Sequence, residues 1–301
     1  MNILLAMIPA FFWGTTYAVT QYTLPDWPPL LLGLLRALPA GILLWIVKPS
    51  LPSKDYIPRL LLLGTINIGA FFCLIFVMAH TLPATISGVG MMSVPVIAML
   101  IQWVMYKQQP TASKLLCGLL LIACAWQLFS PSSLVLSHTG LIAMATAIAC
   151  MIGGSLLTKK LGTSLDWWSV LSWQLILGGM VLIPIVFWQA VHQPQSYLSA
   201  IHTMSSTNML GLLWICILNT AFAYGLYVWL LQRMSVVDFT FGGIANPIAG
   251  ILCGYGLMHE VYTPYQYLLM GVMLILSLLP QWLELRKQKH SNLPHHAATS
   301  H

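Results

Sequence analysis

The sequence predicts an all-α polytopic membrane protein of ten transmembrane helices arranged as two inverted five-helix repeats, and three observations carry that expectation. Charge is scarce. Asp, Glu, Lys and Arg make up 6% of the chain and hydrophobic residues 58%, with a mean hydropathy of +0.84, against about 25% charge in a soluble domain. So few charges cannot coat a water-exposed surface of this size. The apolar residues fall into ten continuous windows of about the 20 residues needed to cross a bilayer, without the two-residue alternation of a membrane β-barrel. Lastly, with ten spans, Lys48, Lys54, Arg59, Lys107, Lys114, Lys159, Lys160, Arg233, Arg286, Lys287 and Lys289 all fall on one side, the side that stays cytoplasmic during insertion.

Span 1 covers 3–21 and lacks the basic n-region and small-residue cleavage site of a signal peptide, so it is expected to remain in the membrane. Span 2, at 29–47, follows the Pro-rich turn DWPP. Spans 3 to 5 cover 59–79, 84–105 and 112–129, and spans 6 and 7 cover 139–158 and 168–188. A longer loop at 189–208 precedes spans 8, 9 and 10 at 209–231, 235–257 and 265–283. The halves are therefore 3–129 and 139–283, with a polar tail at 284–301, and both termini belong on the cytoplasmic side. Trp27, Trp103, Trp167, Trp168, Trp188 and Tyr262 stand at span ends and read as interfacial belts. The six cysteines lie within apolar runs and form no CxxC pair, so neither disulfides, metal nor a cofactor is expected. A net charge of +6 is spread singly along the chain and offers no basic stripe for nucleic acid.

Five spans per half invite a search for duplication. One fixed shift aligns Asn67 with Asn219, Gly90 with Gly242, Pro95 with Pro247 and Gln108 with Glu260. A smaller shift pairs Trp13 with Met151 and Arg36 with Gln174, the difference matching the longer loop. Basic charge alternates at equivalent places, Thr81 being uncharged where Arg233 is basic and Lys107 basic where His259 is not, as expected of inversion.

These features resemble the EamA-domain transporters of the drug/metabolite transporter superfamily. The stretches WGTTYAVTQYTLP (13–25), LLRALPAGILL (34–44) and NIGAFF (67–72) are similar to its PecM-type exporters. The resemblance implies a central cavity surrounded by spans 1–4 and 6–9, with spans 5 and 10 peripheral. The second half carries the family's Pro247, Glu260 and Gly271. The first half departs from it, with Gln108 in place of the usual acidic residue.

Arg36 is the one basic residue inside a span, where charge costs about 2.5–3.5 kcal/mol on insertion scales. It reads either as a ligand for an anionic group or as an arginine snorkelling to the near face or bonding carbonyls within its own half. GVGMMSVPV (88–96) and FGGIANPIAG (241–250) combine small residues with a mid-span proline, suited to a kinked, path-lining segment or to close helix packing. The candidate substrate-binding residues are Trp13, Tyr17, Arg36, Asn67, Phe71, Met91, Pro95, Asn219, Tyr224, Phe241, Asn246 and Pro247. Phe72, Phe222 and Tyr227 are further rings that border the expected cavity. For the two aligned asparagines, hydrogen bonding between helices is the competing reading.

Proton coupling has three candidates, Asp238, Glu260 and His80, none centrally placed. Enzymatic chemistry finds no support. His259-Glu260 opens like HExxH, but Thr263 stands at the second histidine position, and no GxSxG elbow occurs. The expectation is an inner-membrane exporter of small amphipathic metabolites (amino acids, amines or aromatic pigment-like compounds) working by alternating access. A passive exchanger and a non-transporting small-molecule sensor are the competing readings.

Overall fold

A computed structural model of the chain describes residues 3–94, 97, 103–104, 107, 109–128, 136–161, 165–231 and 242–291, and every regular element among them is helical. In chain order these are α1 (Ile3–Thr23), α2 (Pro29–Val47), α3 (Lys54–Thr81), α4 (Ala84–Gly90) and α5 (Ala112–Leu128). They continue with α6 (His138–Leu161), α7 (Trp167–His192), α8 (Pro194–His202) and α9, which joins Ser206–Leu213, Trp214–Phe222 and Ala223–Leu231. The last two are α10 (Ala245–Met258) and α11 (Pro264–Ser291).

Four stretches are long and apolar enough to cross a membrane: α2, α3, α7 and Ser206–Tyr227 of α9. Shorter apolar helices are α5, His138–Gly154 of α6, α10 and Pro264–Pro280 of α11. The 26 residues of α7 reach about 39 Å at 1.5 Å per residue, more than the ~30 Å hydrocarbon layer. Val47, Leu62, Phe187 and Leu268 are exposed, and lipid is the solvent that suits so apolar a surface.

The helices pack in pairs: α2 along α7, α1 along α10, α4 along α10, α3 along α6, and α5 along α11. Small residues allow close approaches elsewhere too, as between α3 and α7. A Cβ at Gly178 of α7 would stand 2.5 Å from the Gly64 carbonyl oxygen of α3. The main apolar core joins α1, α2, α3 and α6 through Tyr17, Leu32, Phe72, Phe76 and Ile148. A second core, around Leu121, Met270 and Met273, joins α5 and α11.

Two helices depart from α geometry at matching places. Thr65–Ala70 of α3 and Trp214–Phe222 of α9 are π-helical, a wider winding found mostly as short insertions near functional sites. Hydroxyls accompany both: Thr65 Oγ1 donates to Leu61 O at 2.8 Å, and Thr220 Oγ1 to Ile215 O at 2.8 Å. The aligned asparagines, Asn67 and Asn219, lie inside these two segments.

The regions expected to kink also match. Helix α4 tightens into a 3-10 turn at Met91–Ser93, and a turn at 243–244 precedes α10. Pro247 is therefore not a mid-helix proline. It sits in the first turn of α10, where its missing N–H leaves no helical hydrogen bond unmade. A second correction concerns 189–208, expected as a loop. It holds α8, anchored by buried Tyr197 and Ala200, with the Tyr197 hydroxyl donating to Gln189 Oε1 at 2.6 Å.

Candidate functional site

Helix α1 presents two faces, because residues four apart align while those two apart diverge. Trp13 and Tyr17 share one face, and their neighbours are aromatic. The Trp13 ring lies 5.0 Å from Tyr224 and 5.6 Å from Tyr227, and Tyr224 lies 6.4 Å from Phe72. Tyr17 is buried in the same core. The Trp13 Nε1 is buried without a hydrogen-bond partner.

Arg36 of α2 closes this cluster and does not snorkel. It is 3% exposed, and its Nε donates to Thr220 Oγ1 of α9 at 2.8 Å. The guanidinium carbon stands 4.2 Å over the Phe72 ring and 5.9 Å from that of Phe76, within the range of a cation–π attraction. Nor, among the described residues, does it bond carbonyls within its own half; its hydrogen bond goes to the Thr220 hydroxyl in the π segment. The one ion pair among the described residues is Lys48 with Asp166 at 2.8 Å, half-exposed at the basic end of the bundle, where pairing contributes little.

Gln174, the residue aligned with Arg36, makes the corresponding contact in the other half. Asn67 Nδ2 of the α3 π segment donates to Gln174 Oε1 at 3.0 Å. Asn219 ties α9 to α1 instead: its Nδ2 donates to Thr16 Oγ1 at 2.7 Å, while Thr15 Oγ1 donates to Phe12 O and accepts from Trp214 Nε1 at 2.9 Å. Both asparagines are thus engaged between helices.

Phe71 is buried beside Phe72, with ring centroids 6.0 Å apart. Met91 is half-buried and packs on the main core. Pro247 is buried, and the Asn246 carbonyl abuts Gly14 so closely that any Cβ there would collide with it. The Asn246 Oδ1 is buried and unpartnered. Pro95, Phe241 and Asp238 lie outside the described residues. Phe222 is exposed on the far side of α9, edge-on to Phe12, and does not border the aromatic cluster as expected.

The other two ionisable candidates lie at the end opposite Lys48. His80 Nε2 donates to Leu24 O at 3.0 Å. Glu260 lies beyond α10, in the link to α11, and accepts from Ala84 N at 2.6 Å, Thr85 N at 3.0 Å and the Tyr262 hydroxyl at 2.9 Å. The carboxylate thus serves the free N–H groups that begin α4. Burial, reinforced by the Glu260 charge, pushes the Tyr262 phenol well above its ordinary pKa. Tyr262 and Trp27 are buried, not belt residues: their rings fold inward to meet a carboxylate and the core. Trp188 is exposed, as a belt residue should be.

A cavity of about 350 Å³ opens among α1, α9 and α10, lined by Phe11, Thr15, Val19, Tyr22, Leu210 and Trp214. It occupies the opposite face of α1 from Trp13 and Tyr17, and Phe11, Tyr22 and Leu210 are exposed, so it is an apolar lateral groove. The residues missed by sequence reasoning are Thr220 and Phe76, the partners of Arg36. Their only signal was a hydroxyl next to Asn219 and one more phenylalanine in an apolar run.

Comparison with known proteins accounts for the helical architecture. The EamA-like transporter family matches residues 1–130 and again 138–279. The chain is 32% identical to Protein PecM of Dickeya dadantii (strain 3937) over 269 residues, covering 89% of this chain and 87% of PecM. It is 23% identical to the uncharacterized inner membrane transporter YedA of Escherichia coli (strain K12), over 89% of this chain and 86% of that protein. It is also 26% identical to a probable amino-acid metabolite efflux pump of Salmonella typhimurium, over 91% of both chains. A crystal structure at 13% identity shares the fold, with a TM-score of 0.60 over 95% of this chain and 98% of that one. On the match in both halves and the likeness to PecM, the chain belongs to the EamA-like transporter family.

Proposed function

We propose that the protein exports small amphipathic metabolites across the cytoplasmic membrane by alternating access, its two five-helix halves (3–129 and 139–283) rocking about a shared binding site. The observation that carries this reading is the cluster of Trp13, Tyr17, Arg36 and Phe72 from the first half with Thr220 and Tyr224 from the second. A binding site split between halves is what alternating access needs, since relative motion of the halves then opens it to either side. The reciprocal contacts, Arg36 with Thr220 and Gln174 with Asn67, favour inverted repeats. With ten spans, the Lys/Arg distribution becomes one-sided, which supports both termini inside. The likeness to a Salmonella protein named as a probable amino-acid metabolite efflux pump favours export.

Glu260 and His80 act in this reading as fasteners of the outer end. Glu260 holds the start of α4, and His80 holds the chain after α1. Opening outward then requires these bonds to part, and a proton on Glu260 weakens its grip on the two N–H groups. The test is counterflow in proteoliposomes of purified full-length protein with labelled compounds, with and without a pH gradient. Saturable flux that accelerates with the gradient in wild type and loses that acceleration in Glu260→Gln supports proton exchange. Saturable flux indifferent to the gradient leaves a passive exchanger, and no flux from folded, inserted protein removes the transport mechanism.

A further inference from the structure

We infer that the central site selects a cargo bearing one carboxylate on a flat apolar body, with Arg36 and the Trp13 indole as its two anchors. This deepens the export reading and rests on it.

The argument begins with what Arg36 lacks. A guanidinium has five N–H donors, no acceptor and a permanent charge. Arg36 is 3% exposed, yet one hydrogen bond accounts for its polar contacts among the described residues, Nε to Thr220 Oγ1. The Thr220 hydroxyl hydrogen goes to Ile215 O, so its oxygen is fixed as the acceptor and holds the guanidinium in place. Phe72 supports one face. The two Nη groups, the forked pair that fits a carboxylate bidentately, remain without a described partner. No described acidic side chain pairs with Arg36, the one ion pair among the described residues being Lys48 with Asp166.

A second group independently points the same way. The Trp13 Nε1 is a pure donor, buried without a partner, and an unmet buried donor is unfavourable until something accepts from it. Trp13 connects to Arg36 through Tyr224 and Phe72, ring to ring. The site therefore offers a buried cation, a neutral donor and aromatic walls. Among the described residues no acceptor is bonded to the Nη groups or the indole N–H and no acidic side chain faces the guanidinium, and a carboxylate supplies acceptor and charge together. A cationic amine meets like charge in a desolvated place. A phosphorylated cargo, with two or more charges, would face a single guanidinium. The rings suit a flat, apolar remainder.

Three probes share a benzyl body and differ in charge: phenylacetate, phenylacetamide and phenethylamine. Counterflow of each is measured in proteoliposomes of the full-length protein, over the background of protein-free liposomes. The expected result is saturable phenylacetate counterflow at least tenfold above that of the other two. Arg36→Gln should reduce it to the amide level. Arg36→Lys, which keeps the charge but not the fork, should raise its half-saturation concentration several-fold, as should Trp13→Phe, which keeps a ring and removes the N–H. If Arg36→Gln does not fold, Trp13→Phe carries the test, read as a change in half-saturation with the maximal rate retained. Amide or amine moving as fast as the acid overturns the carboxylate assignment and leaves transport standing. Wild-type phenylacetate flux in a folded Arg36→Gln does the same. Absence of all three fluxes from folded, inserted wild type overturns the carboxylate assignment, and the transport reading falls with it only when the wider set of labelled compounds gives no flux either.

Discussion

Two crossings in this molecule occupy equivalent places and do different work. In one, α2 meets the π segment of α9 through Arg36 and Thr220; in the other, α7 meets the π segment of α3 through Gln174 and Asn67. The geometry is shared, because a π segment sets a polar side chain toward the second helix of the other half. The chemistry is not. At the α7 crossing a neutral donor meets a neutral acceptor, whereas at the α2 crossing a guanidinium keeps most of its donors uncommitted. The same architectural position holds a closed amide pair on one side and a guanidinium with uncommitted donors on the other. Chemistry that breaks the pattern of a repeat, rather than chemistry that keeps it, marks the place to look for a ligand.

The sharpest way to break that comparison is to make the neutral crossing charged. Gln174→Arg puts a second guanidinium opposite Asn67, whose amide is a poor counter-group, in a place where Gln174 is buried. An intramembrane Arg costs about 3 kcal/mol on insertion scales, so thermal unfolding in detergent should show a loss of that order with little folded protein recovered. A Gln174→Arg protein as stable as wild type would mean that the two crossings tolerate charge equally and that Arg36 is not special.

The next largest effect tests whether the neutral crossing is a clamp. Asn67→Leu leaves the Gln174 amide oxygen unmet and should lower stability by about 2 kcal/mol with counterflow kinetics unchanged once folded protein is compared. Adding Gln174→Leu should recover most of that loss, since replacing both partners removes the unmet group. Chemical denaturation of the two single variants and the double variant measures the coupling. Additive losses would show that the pair is no clamp, and a change in half-saturation for cargo would place Asn67 in the binding site.

The helical class and the four long apolar spans were legible because bilayer crossing imposes a length and a composition, and both are written in the residue order. The site was legible in part. Trp13, Tyr17, Arg36 and Tyr224 could be singled out as polar or aromatic groups within apolar runs. Which of them meet could not, because contact depends on the neighbours of each helix, and hydropathy does not encode neighbours. Thr220 gains its importance only through its position opposite Arg36. The π windings left no trace beyond a hydroxyl or two in TINIGA and WICILNTAF. Tyr262 and Trp27 illustrate the limit from another side: a ring at a span end reads the same whether it turns to lipid or folds in, and a partner such as Glu260 decides which.

The clasp at Glu260 asks whether the difference between the halves is confined to the middle of the bundle. Glu260→Gln keeps the shape but offers one acceptor to two backbone donors, Ala84 N and Thr85 N, and loses the charge. The expected loss of stability is about 1.5 kcal/mol by thermal unfolding. An unchanged midpoint would mean that α4 is held by its packing on α10 alone.

The smallest effect belongs to Tyr262→Phe, which removes one hydrogen bond to Glu260, worth about 1 kcal/mol near neutral pH. Its pH dependence carries more information than its size. Burial first, and the Glu260 charge second, hold the phenol above its ordinary value of 10.0, so the folded state resists ionisation that the unfolded chain accepts. A raised folded-state pKa means that the stabilising contribution is whole below 10.0 and drains away as pH climbs above it. Wild type should therefore lead Tyr262→Phe in unfolding midpoint near neutrality and lose that lead in strongly alkaline buffer. A lead that persists there would locate the contribution of Tyr262 in ring packing against α11 rather than in its bond to Glu260, and the clasp would then rest on the two backbone donors of α4.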